Sequence, residues 1–162
     1  MMDHVAVRRM KLEDIEQIIE IEHQAFTLPW TKEAFYHEMV NNQLAFYIVL
    51  EIDQLIVGYA GMWAVIDEAH VTNIAIRDGY RNKGLGDRLL TEIKAVAKTL
   101  GMQRMALEVR VSNDVAQKLY MKHAFKSVGI RKRYYTDNHE DAMIMWAELH
   151  EQQAPIRKGQ QT

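Results

Sequence analysis

The sequence predicts an α/β fold in which a mixed sheet is flanked by helices. Seven short segments are rich in β-branched residues or alternate apolar with polar residues, as strands do, and four others repeat apolar residues at helical spacing. They follow one another in the order β-α-α-β-β-β-α-β-α-β-β, without an internal repeat or linker. With 162 residues, 48% of them hydrophobic, the chain has the size of one domain. We expect that domain over residues 1–149 and a polar, disordered tail over residues 150–162.

The first half of the chain is predicted to contain one strand, two helices and three further strands. Val5–Arg9 alternates like a strand, and the apolar residues within Leu12–Gln24 have the spacing of a helix. Pro29 interrupts this pattern, and Thr31 is predicted to cap a second helix that runs to Asn41. The next strands are Ala45–Glu51, Leu55–Val65 and His70–Ile76, with turns at Asp53–Gln54 and Asp67–Glu68.

The second half is predicted to alternate helices with strands. A third helix spans Leu85–Leu100, and Gly101 is its expected carboxyl-terminal cap. Ser112 and Asn113 are expected to cap a short fourth helix that ends near His123. The strands of this half are Arg104–Val109, Phe125–Tyr135 and Ala142–Leu149, and the polar loop Thr136–Asp141 joins the last two.

The junction before the third helix has the features of an anion-binding site. Residues 81–86 read Arg-Asn-Lys-Gly-Leu-Gly, which is the spacing R-x-x-G-x-G. Glycines let a backbone approach a ligand closely, and a helix N-terminus presents free N–H groups, so the segment could cradle a pyrophosphate. A motif this short can also be only a tight turn. It is neither a Walker loop, since no Gly-Lys-Ser/Thr follows, nor a dinucleotide fingerprint, whose third Gly would fall on Leu89.

Two side chains could handle protons. Glu108 lies in a predicted strand, on the face opposite its apolar neighbours, and is either an exposed strand residue or a general base that faces a cleft. Tyr120 has the periodicity of a core residue of the fourth helix, although its hydroxyl could donate a proton. Ligands of open α/β sheets bind beyond the carboxyl ends of strands, and the strands that end at Ile76 and Val109 provide such ends.

The R-x-x-G-x-G segment resembles the acetyl-CoA loop of the GNAT family of N-acetyltransferases. Three further blocks resemble the ribosomal-protein-alanine N-acetyltransferases of that family, the RimI family: Phe26–Thr31, Leu107–Tyr120 and Arg131–Met145. The resemblance extends from about residue 5 to residue 149. It implies the acyl-CoA N-acyltransferase fold and transfer of acetyl from acetyl-CoA to a protein N-terminal amine, that of the alanine of a small-subunit ribosomal protein.

The resemblance also implies a role for individual residues. Glu108 matches the proton acceptor of the family, and Tyr120 matches the proton donor to the thiolate of coenzyme A. The implied acetyl-CoA-binding residues are Asn73, Ile74, Ala75, Ile76, Arg81, Asn82, Lys83, Gly84, Leu85, Gly86, Asp87 and Asn113. The residues implied to flank the acceptor are Leu28, Pro29, Trp30, Arg131, Tyr134 and Tyr135. The chain departs from the family pattern at Ala124, where Gly is usual, and at Asp78–Gly79, where a Pro often precedes the loop.

Composition argues against several other classes of protein. A formal net charge of -2 gives no reason to expect direct nucleic-acid binding. The absence of Cys excludes disulfides and thiolate metal sites, and the seven His lack ligand spacing, so no metal is expected. The longest apolar run, residues 55–66, is too short to span a bilayer, and no signal peptide is recognised, so we expect a cytoplasmic protein.

Two alternatives to protein N-terminal acetylation stay open. The enzyme could acetylate a small amine or a protein lysine, because the sequence does not reveal the shape of the acceptor pocket. The chain could also be a non-catalytic acetyl-CoA-binding module, although such a module would need neither Glu108 nor Tyr120.

Overall fold

The computed structural model describes residues 4–150 and has the predicted order of elements. The predicted tail lies outside the described residues, except for His150. The strands are β1 (Ala6–Arg9), β2 (Ala45–Ile52), β3 (Leu55–Val65), β4 (Glu68–Ile76), β5 (Arg104–Arg110), β6 (Lys126–Arg131) and β7 (Ala142–Glu148). The helices are α1 (Ile15–Ala25), α2 (Lys32–Val40), α3 (Leu85–Thr99) and α4 (Asp114–Lys122).

The strands form one mixed sheet in the order β1-β2-β3-β4-β5-β7-β6. All neighbours are antiparallel except β4 and β5, which are parallel. Helices α1 and α2 pack on one face, where Phe35 contacts Tyr59, and α3 and α4 pack on the other with Leu89 and Ile93. Each face is buried, which is why the central strand β3 is apolar along most of its length. Within residues 4–150, every helix is too short or too polar to cross a membrane.

Local signals account for the helix ends. The Thr31 hydroxyl accepts a hydrogen bond from the N–H of Ala34 at 3.1 Å, as a capping residue should. Asn113 caps α4 in the same way, and Gly101 has a φ of +85°, which suits the end of α3. The predicted caps at Thr31, Asn113 and Gly101 are therefore confirmed.

The predicted strand Phe125–Tyr135 is wrong in its extent. β6 ends at Arg131, where its pairing with β7 also ends. Arg133 then adopts a φ of +52°, which turns the chain away from the sheet. Tyr134 and Tyr135 consequently lie in the loop between β6 and β7 rather than in a strand.

Two other boundaries also differ from the prediction. Residues 12–14 form a 3-10 turn, and α1 begins only at Ile15, because the Asp14 carboxylate accepts a bond from the N–H of Lys11 and tightens that turn. β4 begins at Glu68 instead of His70, because the preceding turn is made at Ile66, whose φ is +58°.

Candidate active site

The pairing between β4 and β5 ends partway along the two strands, and we call the space between their unpaired parts the cleft. The two strands pair from their first residues up to His70, opposite Ala106, and no further. β4 continues to Ile76 and β5 to Arg110 without pairing with each other. The register between β3 and β4 shifts at Thr72, and such a bulge bends a strand. The carboxyl-terminal parts of β4 and β5 therefore diverge, and their facing edges line a cleft.

The edge of β4 offers backbone groups to a ligand in this cleft. Residues 73–76 pair with β3 on one side, and on the other side alternate N–H and C=O groups face the cleft. The side chain of Asn73 points inwards instead, where its Oδ1 accepts bonds from the hydroxyls of Tyr47 at 3.2 Å and Thr72 at 2.7 Å. An extended ligand would thus meet the backbone of residues 73–76 as an added strand.

The loop between β4 and α3 presents a helix N-terminus to the same end of the sheet. Gly84 is the N-cap of α3, and its φ of +82° lies in the left-handed region that favours glycine. The N–H of Arg88 bonds to the carbonyl of Gly84, so the N–H groups of residues 85–87 have no partner within the helix. These groups and the positive end of the helix dipole suit a phosphate anion.

The second glycine of the motif serves a different purpose. A Cβ on Gly84 would meet nothing within 4 Å, so only its backbone angle requires glycine. A Cβ on Gly86 would lie 3.0 Å from Cδ2 of Leu119 on α4. The absence of a side chain at Gly86 therefore lets α3 and α4 approach closely at this end of the cleft.

Several side chains of the motif are engaged within the protein. Arg81 pairs with Asp78 at 2.7 Å and donates to the carbonyl of Ile76 at 3.1 Å. Asp87 contacts Lys122, the last residue of α4, at 3.1 Å and His123, which follows it, at 2.9 Å. The side chains at 81 and 87 thus hold the loop in place. Asn82 and Lys83 are exposed beside the free N–H groups, and Lys83 adds a positive charge there.

Glu108 lies on β5 and forms a pair with His70 of β4. Nε2 of His70 is 2.9 Å from Oε1 and 3.0 Å from Oε2 of Glu108. The Glu108 side chain is 11% exposed and that of His70 is 33% exposed, so the pair is half-buried but reachable. This contact forms where the parallel pairing of the two strands ends.

The two partners shift each other's pKa. Burial opposes ionisation of Glu108, but the hydrogen bond and charge of His70, with Arg131 and the Tyr134 hydroxyl, together lower the pKa of Glu108 below its usual value. The hydrogen bond that His70 donates to Glu108 in turn raises the pKa of His70, against the effect of burial. Glu108 is therefore a carboxylate at neutral pH, and a cation beside it is favoured.

Tyr120 lies on α4 at the α3 side of the sheet. Its ring is buried, 7% exposed, and packs on Phe125 with ring centroids 5.8 Å apart. Burial raises the pKa of Tyr120 far above the usual phenol value, and Tyr135 raises it further. The hydroxyl consequently keeps its proton at neutral pH. Asn113 uses its Oδ1 to cap α4, which leaves its side-chain N–H groups for another partner.

Two loops meet beyond the end of β5: the α1–α2 loop (residues 26–31) and the β6–β7 loop (residues 132–141). Arg131 and Tyr134 lie near enough to Glu108 to contribute to its lowered pKa. Leu28 is 56% exposed on the α1–α2 loop, next to Pro29. Tyr135 lies under the guanidinium of Arg110, with 4.0 Å between Cζ and the ring centroid.

Trp30 is half-buried and packs against the core beneath the α1–α2 loop. Its ring packs on Phe35 with 5.2 Å between the ring centroids, and its backbone N–H donates to Oε2 of Glu22 at 2.8 Å. Glu22 is 2% exposed and also accepts the hydroxyl of Tyr59, and its burial raises its pKa. Trp30 thus supports the α1–α2 loop from inside, whereas Leu28 and Tyr134 present apolar surface to solvent.

Sequence reasoning missed four residues at this site: His70, Thr27, Asp137 and Arg110. His70 lies on β4 among other polar residues, and no local pattern in the sequence indicates its contact with Glu108, 38 residues away. Among residues 4–150, no cluster of three or more His, Asp or Glu side chains is arranged to hold a metal ion.

Comparisons with known proteins find relatives over most of the chain. The sequence profile of the Acetyltransferase (GNAT) family matches residues 15–125. A Bacillus subtilis (strain 168) protein, provisionally named a ribosomal protein bS18-alanine N-acetyltransferase, is 51% identical over 146 residues, which are 90% of this chain and 97% of that protein.

Solved structures show the same fold. The ribosomal-protein-S18-alanine N-acetyltransferase from Escherichia coli has a TM-score of 0.84 and 28% identity, over 94% of this chain and 99% of that chain. The PaiA N-acetyltransferase from Thermoplasma acidophilum, in complex with coenzyme A, has a TM-score of 0.75 and 21% identity, over 89% of this chain and 98% of that chain.

Proposed function

The chain belongs to the Acetyltransferase (GNAT) family, and on that premise we propose that it transfers acetyl from acetyl-CoA to the α-amine of a protein N-terminus, the N-terminal alanine of ribosomal protein bS18. It is an N-acetyltransferase, like the ribosomal-protein-alanine N-acetyltransferases it resembles. The observation that carries the proposal is the cleft between β4 and β5, which has free helix N–H groups at one end and Glu108 on its wall.

The cleft fits acetyl-CoA in three respects. The free N–H groups of residues 85–87 would hold the pyrophosphate, with Asn82 and Lys83 beside it. The backbone of residues 73–76 would pair with the pantetheine arm, which carries amides that can bond like a peptide. Asn113 would contact the same arm from the start of α4. Arg81 and Asp87 would act by holding the loop that makes this cradle.

Glu108 would accept the proton of the attacking amine, directly or through a water. An α-amine with a pKa of about 7.7–8.0 is roughly one-tenth neutral or more at pH 7, whereas a lysine near 10.4 is neutral in only about one part in 2,500. An N-terminal amine therefore needs no strong base to become nucleophilic. A carboxylate that stays ionised beside His70 can collect the proton that the amine loses on attack.

Two further groups would complete the transfer. N–H groups of residues 73–76 would stabilise the negative charge that develops on the acetyl carbonyl oxygen. Tyr120, protonated at neutral pH, would give its proton to the departing sulfur. Direct transfer requires no covalent enzyme intermediate, and the chain has no Cys to form one. Much of the rate would come from holding both substrates together.

The acceptor would approach between the α1–α2 and β6–β7 loops. Leu28, Pro29, Tyr134 and Tyr135 line these loops, and Arg131 lies beside Glu108. We place the reaction in the cytoplasm, because the proposed acceptor is a ribosomal protein. The proposal involves no metal, no membrane and no direct contact with nucleic acid.

The test is turnover of the full chain with acetyl-CoA and matched acceptors. A peptide that begins Ala-Arg should be acetylated faster than one that begins Met-Lys. The Ala-Arg peptide with a blocked N-terminus and an internal lysine should be poor, as should spermidine. Faster turnover on spermidine or on the internal lysine than on either free N-terminus would overturn the proposal, as would an absence of turnover on all acceptors.

A further inference from the structure

Glu22 is a buried carboxylate that has no part in the proposed chemistry. It lies in the last turn of α1 and is 2% exposed. Asp14, the other buried carboxylate among the residues that the structure describes, forms an ion pair with Arg8 at 2.8 Å. Glu22 instead accepts hydrogen bonds from neutral groups, the backbone N–H of Trp30 and the hydroxyl of Tyr59. A buried charge without a cation is costly, so stability alone does not explain this glutamate.

Both ends of the α1–α2 loop are attached to Glu22. Its backbone carbonyl accepts the N–H of Phe26 at 3.0 Å, where the loop begins. Its side-chain Oε2 accepts the N–H of Trp30 at 2.8 Å, one residue before the loop ends. Leu28 lies midway between these two bonds and is 56% exposed. One residue therefore carries a short loop whose tip faces solvent.

The same carboxylate attaches the loop to the sheet. Its Oε1 accepts the hydroxyl of Tyr59, a fully buried residue of β3. Tyr59 is paired with Ala75 of β4, which belongs to the edge that faces the cleft. Burial raises the pKa of Glu22, and hydrogen bonds lower it, among them one from the side chain of Asn73 on β4. The α1–α2 loop and the edge of β4 are thus fixed relative to each other through one carboxylate.

We propose that Glu22 is a positioning residue that places the acceptor amine against the acetyl group. The proposal rests on the proposed function, in which the α1–α2 loop flanks the acceptor and residues 73–76 hold the pantetheine arm and the acetyl carbonyl. Transfer requires reacting atoms about 3–3.5 Å apart, and a misplacement of about 1 Å can cost about 100-fold in rate. Glu22 sets the distance between the two parts of the site and touches neither reacting atom.

Loss of the carboxylate should loosen the loop and leave the acetyl-CoA site intact. The loop would lose its bond at Trp30. The N–H groups of residues 85–87 and the pairing of β4 with β3 do not involve Glu22. The acceptor KM should therefore rise, while the affinity for acetyl-CoA should not change. A glutamate that served stability alone would give a lower Tm and an unchanged KM.

The test compares Glu22→Met, which removes both carboxylate oxygens at similar length, with Glu22→Gln, which keeps one acceptor oxygen. Glu22→Met should raise the KM of the Ala-Arg peptide by about tenfold, as expected when a hydrogen bond to a charged group is lost. Glu22→Gln should raise it less, since its amide oxygen can still accept the N–H of Trp30. Calorimetry should give the wild-type affinity for acetyl-CoA in both variants. The matched control, Glu13→Gln, removes the same charge at an exposed position and should leave these values unchanged.

A double variant distinguishes positioning from a general loss of stability. Glu22→Met leaves the hydroxyl of Tyr59 buried without this acceptor, which itself costs free energy. Combined with Tyr59→Phe, it replaces both polar partners by apolar groups, and such exchanges are often neutral or stabilising. The Tm of the double variant should therefore be at least that of Glu22→Met, whereas its acceptor KM should stay raised. Recovery of both Tm and KM would overturn the proposal, because Glu22 would then act through stability alone.

A second measurement does not depend on activity. Amide hydrogen exchange of residues 26–31 in the substrate-free enzyme should be faster in Glu22→Met than in the wild type, and unchanged in Glu13→Gln. Exchange in the first turn of α3 should be the same in all three proteins, because Glu22 makes no contact there.

The outcomes separate this proposal from the proposed function. If the wild type acetylates neither free N-terminus, both fail. If it prefers the Ala-Arg peptide, and a folded Glu22→Met keeps the wild-type KM and the wild-type exchange of residues 26–31, then only the role of Glu22 is wrong. A matching loss of affinity for acetyl-CoA in Glu22→Met would also overturn that role, since positioning of the acceptor confines the effect to the acceptor.

Discussion

At the scale of the residue, the chemistry of the site depends on the contact between His70 and Glu108. A partly buried carboxylate without a partner would have a raised pKa, because burial disfavours its charge. His70 reverses that tendency and keeps Glu108 ionised. The surroundings of Tyr120 act in the opposite direction, because burial raises the pKa of its phenol and keeps the hydroxyl protonated. The two groups thus differ in protonation at the same pH, as a proton acceptor and a proton donor must.

We expect Glu108→Gln and Tyr120→Phe each to lower kcat by about 10²- to 10⁴-fold, the usual contribution of general acid or base catalysis. Both substitutions preserve side-chain size, so the affinity for acetyl-CoA measured by calorimetry should change little. In Glu108→Gln, the rise of the rate with pH should move towards the pKa of the acceptor amine. If both variants retain near-normal rates and pH profiles, these residues are structural.

We expect His70→Gln to raise the pKa of Glu108, because burial then acts against a weaker opposing charge, although Arg131 and Tyr134 are retained. The acidic limb of kcat/KM should consequently shift to higher pH. His4→Gln, at an exposed position, is the control and should leave the profile unchanged. An unshifted profile in His70→Gln would show that His70 does not tune the carboxylate.

The contact between His70 and Glu108 should also affect how the stability of the protein depends on pH, and His70→Gln tests this. The raised pKa of His70 contributes stability below its ordinary value of 6.5, and this is lost as pH rises through the raised pKa. The lowered pKa of Glu108 contributes stability above 4.5, and this is lost as pH falls through the lowered pKa. The Tm difference between wild type and His70→Gln should therefore be largest between pH 4.5 and pH 6.5. A difference that is constant with pH would contradict this ion pair.

At the scale of the element, Gly86 at the start of α3 can be required for two reasons, close packing against α4 and close approach of the backbone to phosphate, and two variants separate them. Gly86→Ala should weaken acetyl-CoA binding, because its Cβ forces α3 away from Leu119 or into the space of the pyrophosphate. Adding Leu119→Ala removes the contact at 3.0 Å, although the loss of this partly buried leucine itself lowers Tm. If close backbone approach to phosphate is the main requirement, calorimetry will still show reduced affinity in the double variant. Full recovery of affinity would mean that Gly86 serves only the packing of the two helices.

The turn between α4 and β6 contains avoidable strain. Ala124 has a φ of +70°, and bonds from Ala124 to Met121 and from Phe125 to Tyr120 complete a Schellman motif. An L-residue in this conformation costs about 1–2 kcal/mol. Glycine avoids this cost, but it also gives the unfolded chain more conformational entropy, so a change to glycine recovers only part of that free energy. The departure from Gly noted in the sequence therefore leaves the backbone shape intact at an energetic cost.

We expect Ala124→Gly to stabilise the protein by about 0.5–1 kcal/mol, which corresponds to a Tm increase of about 1–4 °C. The matched control is Ala95→Gly, on the exposed side of α3, which should destabilise by about 1 kcal/mol. Thermal unfolding of both variants decides the matter. A lower Tm for Ala124→Gly would show that the left-handed turn is not strained.

At the scale of the whole molecule, the sheet has room for the proposed substrates because two of its strands stop pairing partway along their length. The pairing of β4 with β5 stops at His70. Past this point no hydrogen bonds join the two strands, and the helices on each face of the sheet complete the core. A ligand in the cleft would join the two halves of the sheet. Binding should therefore stabilise the entire fold as well as the loop before α3.

Acetyl-CoA at about 100 times its Kd should contribute about 2.7 kcal/mol and raise Tm by about 5–10 °C. Amide exchange should slow most in residues 73–76 and in the first turn of α3. Coenzyme A without the acetyl group should protect the same helix N-terminus, which makes it a useful comparison. Protection confined to another part of the chain would rule out the cleft as the binding site.

The sequence by itself determined the order of the elements, the caps and the glycine loop. These features depend on residues a few positions apart. The Thr31 hydroxyl caps α2 by accepting the N–H of Ala34, and Gly84 precedes α3 in a left-handed conformation that favours glycine. The resemblance of short blocks to a family named Glu108 and Tyr120 as candidates. Alternation along β5 placed Glu108 opposite its apolar neighbours, but it could not show what faces it.

Only the tertiary structure decided which side chains meet at the site. His70 and Glu108 are 38 residues apart, and Thr27 and Asp137 are 110 apart, so no local pattern links them. The end of β6 at Arg131, which places Tyr134 in a loop, also depends on where pairing with β7 stops. The burial of a side chain and the charges around it depend on all the groups that folding brings together. They set its protonation state, which a sequence therefore cannot reveal.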